Sequence, residues 1–451
     1  MSFKECNFEN AVLEIFRDLL GYEYFYAPDV VREYHSPLHE DLLIGCLCDI
    51  NTTLPQEAIN EAVYKLKNFE TGSLLQKNIR FMEYLQNGVE VNYYDGKEQR
   101  STRVLLVDFK NLEKNVFSVS NQWIVEELSI KRTDIIVFVN GLPLVVVELK
   151  SPSREETDVS SAYRQLKNYM QEIPSLFVYN AFMVMSDQAH SKAGTITSSE
   201  DRFMEWKTVD GSYENTKFAS FETLFEGMFE KKRLLDIIKN FICFSKEDTQ
   251  EIKILAGYHQ YYAVRKAIES TSQAVKTDGK GGVFWHTQGS GKSLSMVFYT
   301  KLLQESLESP TIVVITDRND LDDQLYGQFA KCQNFLRQSP KQANNRKHLT
   351  ELLANREANG IFFSTMQKFE ESNEALSERR NIIVIADEAH RSQYGLEEKV
   401  LSTGEIKIGA ARIIRDSLPN ATFIGFTGTP ISLKDRSTRE VFGDYIDVYD
   451  M

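Results

Sequence analysis

The chain has 451 residues, 42% of them hydrophobic and 26% charged, which excludes a disordered protein and is too long for one core; two or three domains are expected. A formal net charge of -13 excludes a body coated in basic surface, yet leaves room for a local basic groove that holds nucleic acid. Five scattered cysteines form neither a disulfide framework nor a zinc set, and no apolar run approaches the roughly 20 residues of a membrane span, so a cytoplasmic protein with no membrane partner is expected.

In chain order, "FENAVLEIFRDLLG" (residues 8–21) carries apolar residues at helical spacing and stops on Gly21, and "PQEAINEAVYKLKNF" (55–69) starts a second helix at Pro55. From about Val104 the pattern changes to strands: "RVLLVDF", "NVFSVSNQWIV", "DIIVFV" and "PLVVVEL". The last two are joined by Asn140-Gly141, the dipeptide of tight hairpin turns. The helix "SAYRQLKNYMQEI" (161–173) and the strand "LFVYNAFMVMS" (176–186) complete an α/β unit. Residues 191–217 are polar and rich in Gly, Ser and Thr, and read as loops at a domain edge. A helical connector follows. From Tyr258 a second α/β pattern begins, with strands "GGVFWH", "TIVVIT", "GIFFST", "NIIVIA" and "ATFIGF" between helix-compatible stretches. Such alternation predicts a parallel sheet covered on both faces, with function at the C-terminal strand ends.

In this second pattern, "VFWHTQGSGKS" (283–293) is strand, glycine-containing loop, Lys-Ser, then helix. Glycines let the backbone N–H groups of the loop (Thr287, Gly289, Ser290, Gly291) turn around phosphates; Lys292 adds charge and the Ser293 hydroxyl can ligate Mg2+. The strict pattern wants glycine where this chain has His286. The strand "NIIVIADEAHR" ends in Asp387-Glu388-Ala389-His390, where one acid can hold Mg2+ through water and the next can polarise an attacking water. "FIGFTGTP" places Thr427 and Thr429 after a further strand. Here the chain resembles the superfamily 2 helicases and translocases, whose first RecA-like lobe carries these motifs in this order. The resemblance implies ATP and Mg2+ as cofactors, held by Gly289, Gly291, Lys292 and Ser293. It also implies Asp387 as metal-linked acid, Glu388 as catalytic base, and Thr427 and Thr429 as the link between hydrolysis and movement. Gln260 matches the family's adenine-contacting glutamine, and the loops from Thr316 and Ser364 resemble those that touch the DNA backbone.

The hairpin carries its own chemistry. Phosphodiester cleavage needs close carboxylates for one or two Mg2+ ions and a cation to activate water and offset phosphate charge. Asp134 opens the first strand, Glu148 lies near the end of the second, and Lys150 follows two residues on, on the same face as Glu148. Pairing through the Asn-Gly turn would bring Asp134 towards Glu148. The next helix places Gln165 and Tyr169 at i and i+4 on one face. This stretch resembles the PD-(D/E)xK nuclease fold in its RecB-like branch, with Thr133 where that signature has proline. The resemblance implies a further acid from the first helix, for which Glu9 and Glu14 are both candidates.

The expected architecture is therefore α/β. A PD-(D/E)xK endonuclease domain with a helical N-terminal part covers residues 1–220, a helical connector covers 221–257, and a first RecA-like, DEAH-type lobe covers 258–451. That order, with "VNGLPLVVVELK", "HTQGSGKS", "ADEAHRSQYG" and "FTGTP", resembles the motor and restriction (R) subunit of type I restriction enzymes over nearly the whole chain. The resemblance implies ATP-dependent translocation on double-stranded DNA coupled to Mg2+-dependent cleavage, with separate methyltransferase (M) and specificity (S) subunits choosing the target. The sequence leaves no room for a second RecA-like lobe after Thr429, so a truncated chain or fragment that does not translocate by itself is expected. The alternatives are a nuclease-helicase of another DNA defence or repair system, a translocase with an inactive nuclease domain, and a non-catalytic interaction subunit.

Overall fold

The computed structural model describes residues 5–150, 159–213, 220–316, 319–354, 357–369, 375–389, 399–400, 406–407, 410–429 and 436–450. The chain forms two compact units, Met1–Phe244 with Gln250–Tyr258, and Ser245–Thr249 with His259–Met451.

The first unit is built on a seven-stranded mixed sheet in the order Glu23–Tyr26, Phe117–Asn121, Ile135–Val139, Leu142–Leu149, Phe182–Ser186, Ser191–Gly194, Met204–Glu205. The two central strands are buried along their whole length, which is why they read as unbroken Val, Ile and Leu runs and not as an alternation. Leu142–Leu149 runs antiparallel to Ile135–Val139 and parallel to Phe182–Ser186, with the Val159–Glu172 helix in the crossover. That helix buries Ala162, Leu166 and Tyr169 in a cluster with Trp123, Phe138 and Met183. Elsewhere in the unit, Phe16 meets Phe225 and Phe229 edge to face.

Four stretches depart from the sequence pattern. The ladder expected through "RVLLVDF" ends at Val104, because the Asn51 side chain takes both backbone groups of Leu105 at 2.8 and 2.9 Å. "LFVYNAFMVMS" opens as the helix Pro174–Val178, with Pro174 pre-set for a first helical position. The Asn78 amide caps the carbonyls of Phe177, Val178 and Asn180, and the strand starts only at Phe182. The polar stretch 191–217 supplies two short strands to the sheet, Ser191–Gly194 and Met204–Glu205. The stretch read as a connector holds the helices Phe221–Phe229 and Lys231–Asn240, then a two-stranded sheet of Ile242–Glu247 and Gln250–Leu255.

The second unit has a seven-stranded, all-parallel sheet in the order Lys341–Gln342, Ile361–Thr365, Thr311–Thr316, Ile382–Ala386, Thr422–Thr427, Lys280–His286, Tyr445–Tyr449. The parallel α/β expectation therefore holds. Ile382–Ala386, Thr422–Thr427 and Lys280–His286 are neighbours, so the three motifs leave the same sheet edge side by side. Among the described residues, no helix is long and apolar enough to cross a membrane.

Candidate nuclease and nucleotide sites

In the first unit, Asn140 and Gly141 have φ of 52° and 78°, the doubly positive pattern of a two-residue hairpin turn. The turn is buried: Asn140 bonds Val116, Leu106 and Asn115, and a Cβ on Gly141 would stand 2.6 Å from the His39 carbonyl oxygen. It pairs Val139 with Leu142 and Phe138 with Pro143, but Val137 with Val145. Leu144 is therefore an extra residue, a β-bulge beside a proline that cannot donate to the ladder. Its effect on chemistry is decisive. An unbroken ladder from this turn would set Asp134 opposite Val147 and leave Glu148 on the other face of the sheet. With the bulge, Ile135 pairs Val147, and continuing that register sets Asp134 opposite Glu148.

Asp134 Oδ2 accepts from the Leu149 N–H at 2.8 Å, and Lys150 Nζ donates to Glu148 Oε1. Burial, then the charge of Asp134, pushes Glu148 up to about 8, against the opposing pull of Lys150. Its Oε2 is buried with no partner at hydrogen-bonding geometry; the Tyr169 hydroxyl is only a weak neighbouring donor and itself bonds the Arg132 carbonyl oxygen at 3.1 Å. Gln165 is within hydrogen-bonding reach of that hydroxyl. The five residues read from the sequence thus meet at one end of the hairpin. The structure also separates the two helix acids. Glu9 accepts from Asn121 Nδ2 at 2.5 Å and from Gln122 Nε2 at 3.3 Å, and the Gln122 N–H donates to the Asp134 carbonyl oxygen. Glu14 is exposed. Thr133 is buried and donates its N–H to the Trp123 carbonyl oxygen at 3.1 Å, a bond that proline could not make.

An ion would meet hard oxygen donors here, two carboxylates of which burial, and then their mutual repulsion, drives one towards protonation, and these suit Mg2+. Among the described residues, no group of three or more His, Cys, Asp and Glu gathers as a ligand set. Water and phosphate oxygens would complete the shell, as Mg2+ usually requires.

In the second unit, Gly289 and Gly291 have φ of 93° and 82°, and Gly291 caps the helix Lys292–Ser306. These are the positions where the loop needs glycine. His286 ends the preceding strand, and its buried ring bonds Asp447 Oδ2 at 2.8 Å while Lys266 bonds Asp447 Oδ1 at 2.7 Å. The departure from the strict motif thus falls on a strand residue with no positive φ. Gln260, expected at adenine, donates to the Gly291 carbonyl oxygen at 3.0 Å. Thr287 and Ser290 close the loop's turn through a 3.2 Å backbone bond, and Ser293 is exposed on the first helical turn.

Lys292 is half-buried against the carbonyl oxygens of His286 and Thr287. Burial lowers its pKa, while Glu388 and then Asp387 pull it back up. A Cβ on Gly428 would stand 2.9 Å from its ammonium, so all three motifs converge on Lys292. Glu388 has φ of 51°, with its N–H on Asp387 Oδ1 at 3.0 Å; Thr427 is buried and exchanges bonds with the Thr429 backbone. His390 and Arg318 lie outside the described residues, as do the side chains 319–322 of the loop after Thr316 that was expected to touch DNA. Sequence reasoning missed Asn121, Gln122, Lys266 and Asp447, which carry no motif; Pro143 inside a strand was the one signal for the bulge.

Family models match both units: "Type I restriction enzyme R protein N terminus (HSDR_N)" over residues 2–202 and "SWI2/SNF2 ATPase" over residues 259–451. The chain is 43% identical to the type I restriction enzyme HindI endonuclease subunit of Haemophilus influenzae, covering 96% of this chain and 43% of that protein. It is 29% identical to the type I restriction enzyme SauCOLORF180P endonuclease subunit of Staphylococcus aureus (strain COL), covering 76% of this chain and 35% of that one. Among solved structures, the UvsW helicase of bacteriophage T4 aligns over 46% of this chain and 64% of its own, at 14% identity and a TM-score of 0.32. The chain spans less than half the length of these curated relatives.

Proposed function

Over the part it spans, the chain belongs to the R-protein family of type I restriction enzymes, and from that premise we propose that it is the nuclease and first motor lobe of an ATP-dependent restriction endonuclease acting on double-stranded DNA. The observation that carries the nuclease reading is the bulged register that sets Asp134 opposite the buried Glu148, with Lys150 on that carboxylate. Asp134 and Glu148 would hold Mg2+, with Glu9 reaching the same end of the sheet through Asn121 and Gln122. When bound, the ion supplies Lewis acidity to the scissile phosphate and charge for the leaving oxygen. Lys150 orients the attacking water and offsets charge on the phosphate. Gln165 and Tyr169 hold the helix against this end of the hairpin.

In the second unit the Gly289–Gly291 turn and the Lys292 helix terminus would receive the ATP phosphates, Ser293 and Asp387 would hold Mg2+, and Glu388 would polarise water. M and S subunits would select the DNA. The test uses the full-length subunit assembled with its M and S partners. Lys150→Ala should lower plasmid cleavage by about 100-fold or more while DNA-stimulated ATP hydrolysis persists, and Lys292→Ala should abolish that hydrolysis. Cleavage by Lys150→Ala at the wild-type rate would falsify the nuclease assignment.

A further inference from the structure

The bulge that sets the two carboxylates face to face is held from outside the hairpin. The Leu144 carbonyl oxygen accepts from the Ala181 N–H at 2.7 Å and from Asn180 Nδ2 at 3.3 Å. The carbonyl oxygen of the fully buried Asn180 accepts in turn from Lys253 Nζ at 2.7 Å and Asn78 Nδ2 at 2.8 Å. Lys253 comes from the Gln250–Leu255 strand, more than a hundred residues after the hairpin. Its backbone is tied to the hydroxyls of Thr195 and Thr197, and its ammonium also donates to Asn78 Oδ1 at 2.9 Å. These oxygens belong to neutral groups, and burial holds the lysine well below its usual pKa range. Burying a lysine nitrogen among neutral acceptors is costly, and an apolar side chain of similar length would fill the space without that cost. What lysine adds is a directed donor on the Asn180 carbonyl.

We propose that Lys253 is a positioning residue of the nuclease site: it pins Asn180, Asn180 pins the Leu144 bulge, and the bulge keeps Asp134 facing Glu148. This rests on the nuclease reading above. In the full-length subunit assembled with its M and S partners, Lys253→Met lowers plasmid cleavage and raises the half-saturating Mg2+ concentration about tenfold, as loss of an outer support does at metal sites. DNA-stimulated ATP hydrolysis is unchanged. In the isolated, metal-free subunit, the rise in melting temperature on adding Ca2+, a probe that binds without supporting cleavage, is lost.

Deleting Leu144 in the Lys253→Met background restores both readouts, because the shortened strand reaches the Asp134–Glu148 register directly from the Asn-Gly turn without a bulge. A purely structural lysine would be rescued by nothing of the kind. Unchanged Mg2+ requirement and Ca2+ response in folded Lys253→Met overturn the proposal, and so does a deletion that fails to restore them. If Lys253→Met does not fold, Asn180→Ala, which removes the side-chain bonds to the carbonyl oxygens of Leu144 and Phe182 but keeps the backbone carbonyl that Lys253 holds, shows smaller shifts in the same direction or the proposal fails. Glu148→Ala separates the two levels. Full cleavage by that variant removes the nuclease reading itself, whereas a dead Glu148→Ala beside a normal Lys253→Met removes only the positioning role.

Discussion

At the scale of the residue, Glu148 is the most informative side chain. Its folded pKa of about 8 lies above the ordinary value of 4.5, so between those values the folded protein holds a proton that the unfolded chain has lost. Stability without metal therefore falls as pH rises from about 4.5 to about 8 and levels off beyond. Glu148→Gln should leave the melting temperature nearly unchanged near pH 5 and stabilise the metal-free protein by roughly 2–4 kcal/mol above pH 8, read by thermal unfolding across that range. Divalent-ion affinity should run the other way, rising with pH up to about 8 as the proton leaves. Calorimetric Ca2+ titration at several pH values checks it. The residue types at this site were legible because carboxylates and lysine at strand ends are chemically conspicuous. Glu9 could not be separated from Glu14 by spacing, since the choice depends on Asn121 and Gln122, more than a hundred residues away.

At the scale of the element, apolar runs made most strands readable, and what escaped were places where a side chain replaced a ladder bond. Asn51 ending the strand at Val104, and Asn78 capping Pro174–Val178, are long-range events with no periodic signature. The bulge at Leu144 is the same kind of omission: the turn dipeptide argued for a simple ladder, and only Pro143 spoke against it. The strand Tyr445–Tyr449 was missed because its one buried residue is Asp447 and it carries no apolar run. That aspartate pairs with His286 and Lys266, while Gly282, at φ of 99°, admits Ile446 where a Cβ would stand 2.3 Å from it. Asp447→Ala should destabilise the second unit by about 3 kcal/mol, seen as an early unfolding transition by calorimetry, because it removes the buried carboxylate that the buried His286 imidazole bonds. Gly282→Ala should do the same through strain and collision.

At the scale of the whole molecule, the first unit draws on a long return of the chain. The Tyr22 hydroxyl donates to the Phe229 carbonyl oxygen at 2.8 Å, Phe225 and Phe229 pack on Phe16, and Lys253 is buried beside Asn180. A truncation ending at residue 258 should fold cooperatively, whereas one ending at residue 220 should expose this aromatic surface and aggregate or unfold. Circular dichroism melts of the two fragments decide it. The order of two α/β units was readable because each carries its own motif set. The return of residues 221–244 and 250–258 into the first unit was not, since amphipathic helices look alike whether they link or pack.

The buried turn has one more consequence, for the lifetime of the protein and not its chemistry. Asn-Gly is the dipeptide most prone to spontaneous deamidation, which requires the following amide nitrogen to swing onto the asparagine side-chain carbon. Here Asn140 is locked by Val116, Leu106 and Asn115, and Gly141 by His39, so that swing is denied for as long as the unit stays folded. Aspartate or isoaspartate at position 140 thus acts as a chemical clock, recording how long each molecule has spent unfolded.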